Sequence, residues 1–317
     1  MTAGLVSIAL CTYNGAGYLK EQLDTLIAQT YPDLEIVAVD DCSKDDTAAI
    51  LHDYAARYPQ LKVHFNTDNL GYTKNFEKAI SLCTGDYIAL CDQDDIWDKN
   101  KISVMVELIG DSILAYHDSE FVDEQGKPLN KKASDVQNCY SGNDCRYFLF
   151  GNCVLGHATI FKKELLKFTG AFNDTIIHDR WLAYVAANNG GIAFINQALV
   201  KYRQHFNANT NILKQERANR TKSSSVDKMQ FQLDVLNIFA AYPFNADAQA
   251  RFVKKMRNLM QRRMQSYTSF TLAYFIFIHR NVLFYILKKS TLSKINLSLK
   301  FVWGYKIKKL TLFNVER

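Results

Sequence analysis

Residues 89–101 read ALCDQDDIWDKNK, with Asp92, Asp94, Asp95 and Asp98 inside seven positions directly behind an apolar run. Like charges this close repel one another unless a cation sits among them. Carboxylates at i and i+2, projecting from the loop after a buried strand, can hold a hard divalent cation through oxygen ligands. Mg2+ or Mn2+ held in this way keeps coordination positions open for phosphate oxygens. An EF-hand loop is excluded, because its glycine and its distal glutamate are missing. A helix start enriched in acids, beginning near Trp97, accounts for Asp95 and Asp98. It does not account for Asp92 and Asp94 at a strand terminus, and these two are the candidate metal ligands.

A second acidic stretch is VAVDDCSKDDT, residues 37–47. Asp40 and Asp41 end an apolar run, where a carboxylate can accept hydrogen bonds from a base edge or from ribose hydroxyls. Ser43, Asp45 and Asp46 read as helix caps, which leaves Asp41, with Asp40 second, as ligand contacts. NGAGYL, residues 14–19, lacks the third glycine of a dinucleotide fingerprint, and no Walker lysine motif is present.

These acids need elements that bring them together. VSIALCTY, LEIVAVDD, LKVHFN and DYIALCD read as strands. YLKEQLDTLIAQT, CSKDDTAAILHDYAARY and KNFEKAISLCTG read as the helices between them. Strict strand–helix alternation predicts an α/β doubly wound, mostly parallel sheet, in which ligands bind beyond the carboxyl ends of the strands. Those ends are CTYN, VDDCS and CDQDD. Residues 112–210 continue as mixed α/β, with a loop-rich stretch at 123–148. From about residue 222 the pattern becomes helical, and Phe252, Val253, Met256, Leu259 and Met260 fall on one side of a helix.

The 317 residues carry a formal charge of +6 that hides an asymmetry. Residues 1–200 hold 16 Lys and Arg against 27 Asp and Glu, a balance of −11; residues 201–317 hold 22 against 5, a balance of +17. Between 243 and 317 the count is 15 against 2, a balance of +13, with apolar blocks broken at His279-Arg280-Asn281. Those blocks are too short to span a bilayer and suit a helix lying on an anionic membrane surface. An appendage packed on its own domain is the alternative. Nucleic acid is a poor partner for a chain whose first two thirds are acidic. Seven cysteines without CxxC or zinc spacing read as reduced thiols of a cytosolic protein. The N-terminus reads as a first strand, not a signal peptide.

CTYNG, QTYPDLEIVAVDDCSKDDT, NLGYTKNFEKAI, TGDYIALCDQDDIW, GHATIFKKELL, HDRWLAY and YRQH run in order from residue 5 to about 210. Together they resemble the family 2 glycosyltransferases of GT-A fold, with CDQDDIW, HDRW and YRQH most similar to the bacterial rhamnosyltransferase-like branch. The resemblance implies a catalytic domain over 1–221 and leaves 222–317 as a helical, basic and apolar region. It implies inverting transfer of a sugar from a nucleotide diphosphate sugar, dTDP-rhamnose or a UDP-hexose, to a hydroxyl of a glycan or lipid-linked acceptor. The setting it implies is bacterial cell-surface polysaccharide synthesis, and the basic tail of 243–317 is expected to carry the chain to the cytoplasmic face of the membrane.

By the same resemblance Cys11 and Tyr13 flank the base and Asp41 contacts it. Asp92 lies near the ribose or diphosphate, Asp94 lies on the metal, and Asp179 is the catalytic base. Position 178, usually an acid in the family, is His178 here. The chemistry fits this count: one carboxylate takes the acceptor's proton, and a metal held by others offsets charge on the leaving diphosphate. Arg203 and His205 of YRQH could close over that diphosphate. Trp97, Gly156, His157 and His178 are acceptor-side or accessory candidates. Two other classes stay open, a sugar-phosphate nucleotidyltransferase and a non-catalytic nucleotide-sugar-binding protein. The first lacks a good phosphate loop in CTYNGAGYLK, and the second would be expected to have lost Asp179.

Overall fold

The computed structural model describes residues 4–205 and 224–313, so the expected boundary at 221/222 lies outside the described residues. The described chain forms two compact units, one of residues 4–143 and 153–205, the other of residues 144–152 and 224–313.

In the first unit β1 (Val6–Thr12) is flanked by β2 (Leu34–Asp40) and β4 (Tyr87–Cys91), and β3 (Leu61–Phe65) lies outside β2, all parallel. All seven residues of β1 are buried, as an apolar run covered on both faces requires. Val6, Ile8 and Leu10 pack on Leu19, Leu23 and Leu26 of α1 (Ala16–Ile27) and on Ile50, Leu51 and Tyr54 of α2 (Thr47–Arg57). Each such side chain contributes roughly 1.5–3 kcal/mol by burial. The alternate residues of β1 face the other way, and α3 (Tyr72–Leu82) packs on β1 and β2.

Beyond β4 the sheet becomes mixed. β8 (Thr159–Lys162) runs antiparallel between β4 and β6 (Leu114–Val122), and β9 (Ile192–Arg203) runs parallel to β6. β7 (Pro128–Lys132) forms a hairpin on β6, inside the stretch expected to be loop. The helix expected near Trp97 starts later. Ile96–Trp97 is a two-residue strand, β5, paired with Lys201 and Val200 of β9, and α4 spans Lys101–Leu108. The competing ladder on β9 captures these backbone groups. Asp98 serves the turn before α4, its Oδ1 accepting from Asn100 N and its carbonyl from Lys101 N. Short helices α5 (Ala133–Val136) and α6 (Leu166–Thr169) precede α7 (His178–Asn188), whose Trp181–Ala187 stretch is wholly buried.

The second unit is helical: α8 (Ser225–Ala241), α9 (Asp247–Met264), α10 (Phe270–Ile278), α11 (Arg280–Leu283), α12 (Thr291–Leu299) and α13 (Tyr305–Phe313). Ser224 caps α8, accepting from Asp227 N while Asp227 accepts from Ser224 N. Val253, Met256, Leu259 and Met260 of α9 are buried, with Phe252 against the Phe275 ring at 5.0 Å. Arg263 is also buried; its guanidinium donates to the carbonyls of Trp303 and Lys300 and lies over Phe301. Residues 144–152 belong to this unit through Tyr147 on Tyr285 and Phe150 on Phe284 and Phe301. Among the described residues no helix is long and apolar enough to cross a membrane.

One buried carboxylate, paired with a half-exposed lysine, ties the parallel strands together. Glu35 Oε1 accepts from the Ser7 hydroxyl and from Thr84 N and Oγ1, and Oε2 accepts from Lys62 Nζ at 2.6 Å. Burial alone would raise this carboxyl, but the hydrogen bonds outweigh it and hold it at about 2, below its ordinary 4.5. A carboxyl depressed on folding contributes stability that is full above its unfolded pKa and is lost as pH falls through the folded one. Unfolding free energy should therefore drop by up to about 3 kcal/mol between pH 5 and 2 from this group. Glu35→Gln should be less stable at pH 7 and show a shallower acid dependence, read by urea titrations across that range. Parallel pH curves for the two proteins would refute the assignment.

Candidate active site

The carboxyl ends of β1, β2 and β4 open on a cavity of about 490 Å3. Cys11 and Tyr13 form the wall behind β1, and Tyr13 is half exposed. Gln93 holds this wall. Its Oε1 accepts from Tyr13 N at 2.8 Å and its Nε2 donates to Tyr13 O at 3.0 Å. The close approach needs Gly15, where an added Cβ would overlap Gln93 Oε1. Asp45, expected as a cap, joins two helix starts, accepting from Ala16 N of α1 and from Thr47 N of α2.

Asp41 lines the cavity, but its carboxylate is also the organiser of the 66–71 loop. Oδ1 accepts from Asn66 Nδ2 and Leu70 N, and Oδ2 accepts from Gly71 N. Asp40 is not on the cavity wall. It accepts from the Thr12 and Ser43 hydroxyls and from Ser43 N, so its place in this structure is to lock the β1 and β2 ends together.

Asp92 and Asp94 both line the cavity. Asp92 Oδ1 accepts from the Tyr72 hydroxyl at 3.3 Å, and Asp94 Oδ2 pairs with His205 Nε2 at 2.8 Å. Burial, and then the charge of Asp94, push the Asp92 carboxyl up to about 7. Asp95 is not a helix-start residue. It is fully buried, its Oδ1 accepts from Arg203 N, and its N–H donates to Gln22 Oε1. Burial and the neighbouring carboxylates raise it well above the usual range.

His157 stands behind these acids. Its Nε2 shares a hydrogen bond with Ser119 Oγ at 2.8 Å, and its Nδ1 lies 4.0 Å from Asp92 Oδ2 and 3.9 Å from Asp95 Oδ2. Burial keeps this imidazole neutral, hence able to ligate. Asp95 Oδ2 is buried and makes no hydrogen bond. An orphaned carboxylate oxygen facing a second carboxylate and an imidazole nitrogen is a donor set that suits Mn2+ or Mg2+. Lys101, fully buried, donates to the His157 carbonyl at 2.5 Å and sits 3.1 Å over the Trp97 ring. Burial lowers it to about 7 against the pull of Asp95 and Asp92.

Asp179 is the second residue of α7. Burial pushes its carboxyl up to about 7, while the Arg180 and Gly156 N–H groups pull it down. Its charge is one cause of the raised Asp92, so the two carboxyls lie within electrostatic reach. His178 is fully buried, its ring stacked on Phe76 at 4.1 Å and tilted on Tyr72, with neither nitrogen hydrogen-bonded. Desolvation lowers it to about 3, so position 178 presents a neutral ring. A Cβ at Gly156 would press on His178 Nε2 at 3.1 Å, which explains the glycine.

Arg203 does not reach over the cavity in this structure. Its guanidinium donates to the carbonyls of Asp94 and Glu124 and to Glu21 Oε2, and it stacks on Tyr18. It braces the acid loop from behind. Trp97 is buried off the cavity under Lys101. Tyr72, Gln93 and Lys101 escape a reading by residue type. Their part depends on what lies opposite them, and the glutamine between two aspartates is the only local hint.

Residues 7–168 match the model of Glycosyl transferase family 2. An uncharacterized glycosyltransferase of Haemophilus influenzae is 26% identical over 87% of this chain and 91% of its own length. An uncharacterized glycosyltransferase of Rickettsia typhi is 28% identical over 65% of this chain, and the match spans 66% of the Rickettsia protein. The dTDP-rhamnosyl transferase RfbG of Shigella flexneri is 29% identical over 62% of this chain and 72% of its own. Among solved structures, S. aureus TarS 1–349 in complex with UDP-GlcNAc superposes with a TM-score of 0.59 at 19% identity, over 94% of this chain and 81% of TarS 1–349. The mannosyltransferase PcManGT of Pyrobaculum calidifontis, in complex with GDP-Man and Mn2+, gives 0.54 at 17% identity, over 98% and 88%. These two likenesses concern the fold, α/β of GT-A type with a helical C-terminal region. With its family model matched over more than half its length, the chain belongs to glycosyl transferase family 2.

Proposed function

We propose that this protein transfers a sugar, with inversion, from a nucleotide diphosphate sugar to an acceptor hydroxyl, using Asp179 as the base. The observation that carries this reading is the division of carboxylates. Asp92 and Asp94 face a cavity at the strand ends, while Asp179 is held on a separate helix start within electrostatic reach of Asp92. In this reading Cys11, Tyr13 and Asp41 receive the nucleoside. Asp92 and Asp94, with His205 on Asp94 and Asp95 and His157 behind, hold Mn2+ or Mg2+. A bound divalent ion offsets the negative charge of a departing diphosphate. Asp179 accepts the acceptor's proton at a carboxylate oxygen as the hydroxyl attacks the anomeric carbon. A carboxyl titrating near 7 is suited to this, since its conjugate base is both populated and basic at neutral pH.

The donor is read as dTDP-rhamnose or a UDP-hexose, supported by the relative named a dTDP-rhamnosyl transferase. The acceptor is read as a glycan or lipid-linked molecule of the bacterial cell surface. Screening nucleotide sugars with Mn2+ for release of nucleotide diphosphate should give turnover with a dTDP- or UDP-sugar and none after chelation. Turnover confined to a GDP-sugar would overturn the donor reading, and chelator-insensitive turnover would overturn the metal reading.

Two substitutions separate the roles. Asp94→Ala should abolish transfer while leaving the fold stable, because one fewer acid in the cluster relieves repulsion. Asp179→Asn should keep donor binding by calorimetry and lose roughly 100-fold or more in kcat. In the wild type, kcat should fall as pH drops below about 7, as the raised Asp179 carboxyl takes up its proton. Loss of donor binding in Asp179→Asn, in step with turnover, would make Asp179 a donor ligand.

The second unit supports peripheral attachment to an anionic membrane. The sequence points to Phe270, Phe275, Phe277, Leu283 and Phe284 as inserting residues. Of these, Phe275, Leu283 and Phe284 are core residues, 6%, 2% and 3% exposed. The outward face of α10 is instead Phe270, Tyr274 and Ile278, at i, i+4 and i+8 and 69%, 67% and 48% exposed. Basic residues near such a face add roughly 1 kcal/mol each against anionic lipid. In flotation with anionic vesicles the full chain should rise at low salt and less at high salt. Phe270→Ser with Tyr274→Ser should stay at the bottom, and a wild type that never floats would end the membrane reading. Cutting the chain near 242 would be a poorer test, since it strips α8 of its packing partner α9.

A further inference from the structure

Lys101 breaks three local rules at once. It is a lysine with no exposure to solvent, it is the first residue of a helix, and it lies beside the acid loop without a direct ion pair. A buried ammonium is costly unless its charge is compensated, and the helix dipole disfavours a cation at an N-terminus. Such a placement persists only where something nearby is worse off without it. The neighbours identify what that is. Asp92, Asp94 and Asp95 occupy three of four consecutive positions, and Asp95 Oδ2 is buried with no hydrogen bond. The ammonium is oriented by the His157 carbonyl and the Trp97 ring, at 2.5 and 3.1 Å, while the charges of Asp95 and Asp92 pull on it.

We propose that Lys101 is a resident counter-ion of the acid loop, a positioning residue that holds Asp92, Asp95 and the His157 turn in place without a divalent ion and opposes that ion when it binds. The inference rests on the reading above that this loop takes Mn2+ or Mg2+. It differs from a plain structural tie in sign. A tie through the His157 carbonyl, once cut, would loosen the loop and weaken cation binding. Removing a counter-ion leaves more negative charge on the same ligands and strengthens it.

The test uses the full chain and Mn2+ alone as the probe, free Mn2+ being read by electron paramagnetic resonance. Lys101→Met should lower the metal-free melting temperature, bind Mn2+ at least roughly fivefold more tightly than wild type, and gain more melting temperature from saturating Mn2+. Unchanged or weaker Mn2+ binding by a folded Lys101→Met protein would overturn the proposal. Adding Asp95→Asn, whose amide oxygen can still accept from Arg203 N, should recover the melting temperature lost in Lys101→Met, or its solubility if the single variant does not fold. Failure of this second change to recover either would also overturn it. If wild type takes no Mn2+, the metal reading of the loop falls, while recovery by Asp95→Asn still decides the counter-ion role.

Discussion

Everything at this site follows from the need to keep several carboxylates in one small volume at the end of a buried strand. Isolated, Asp92, Asp94 and Asp95 would repel one another and avoid the low-dielectric interior. The fold meets each in a different way: a tyrosine hydroxyl on Asp92, an imidazole on Asp94, backbone N–H on Asp95, and an ammonium behind. Much of the surrounding architecture can be read as the means of delivering those four partners.

The partners come from far along the chain. β9 pairs with the two-residue β5 and so brings Arg203 N to Asp95 and the Arg203 guanidinium to the Asp94 carbonyl. β8, inserted antiparallel beside β4, places the His157 turn at the rear of the acids. α3 supplies Tyr72, which touches Asp92 on one side and the His178 ring on the other. The mixed half of the sheet thus does for the acid loop what the parallel half does for the Cys11–Tyr13 wall of the cavity.

The neutral His178 beside Asp179 fits the same electrostatic logic. A second acid at the start of α7 would place another negative charge next to a carboxyl that burial already raises to about 7. An uncharged ring stacked on Phe76 avoids that.

The sequence by itself determined the parallel half of the fold and the sites at its strand ends. Buried parallel strands show as continuous apolar runs, and the polar residues that interrupt them at CTYN, VDDCS and CDQDD must lie where the strands stop. The basic, apolar C-terminal third and its inward α9 face were legible for the same reason, since periodicity reports burial. Only the tertiary structure decided the parts that depend on partners distant in sequence. Asp95 reads as an ordinary helix-start acid until β9 pairs with Ile96–Trp97 and buries it. Arg203 reads as a hand for a diphosphate until its guanidinium is seen among carbonyls and Glu21. Phe275 and Phe270 look alike in an apolar run, and the packing around α10 separates core from surface. Lys101 ends the acidic stretch itself, yet nothing along the chain shows that it is buried with its ammonium on the His157 carbonyl. Local patterns report which residues are buried, whereas the charge a buried residue faces is set by long-range topology.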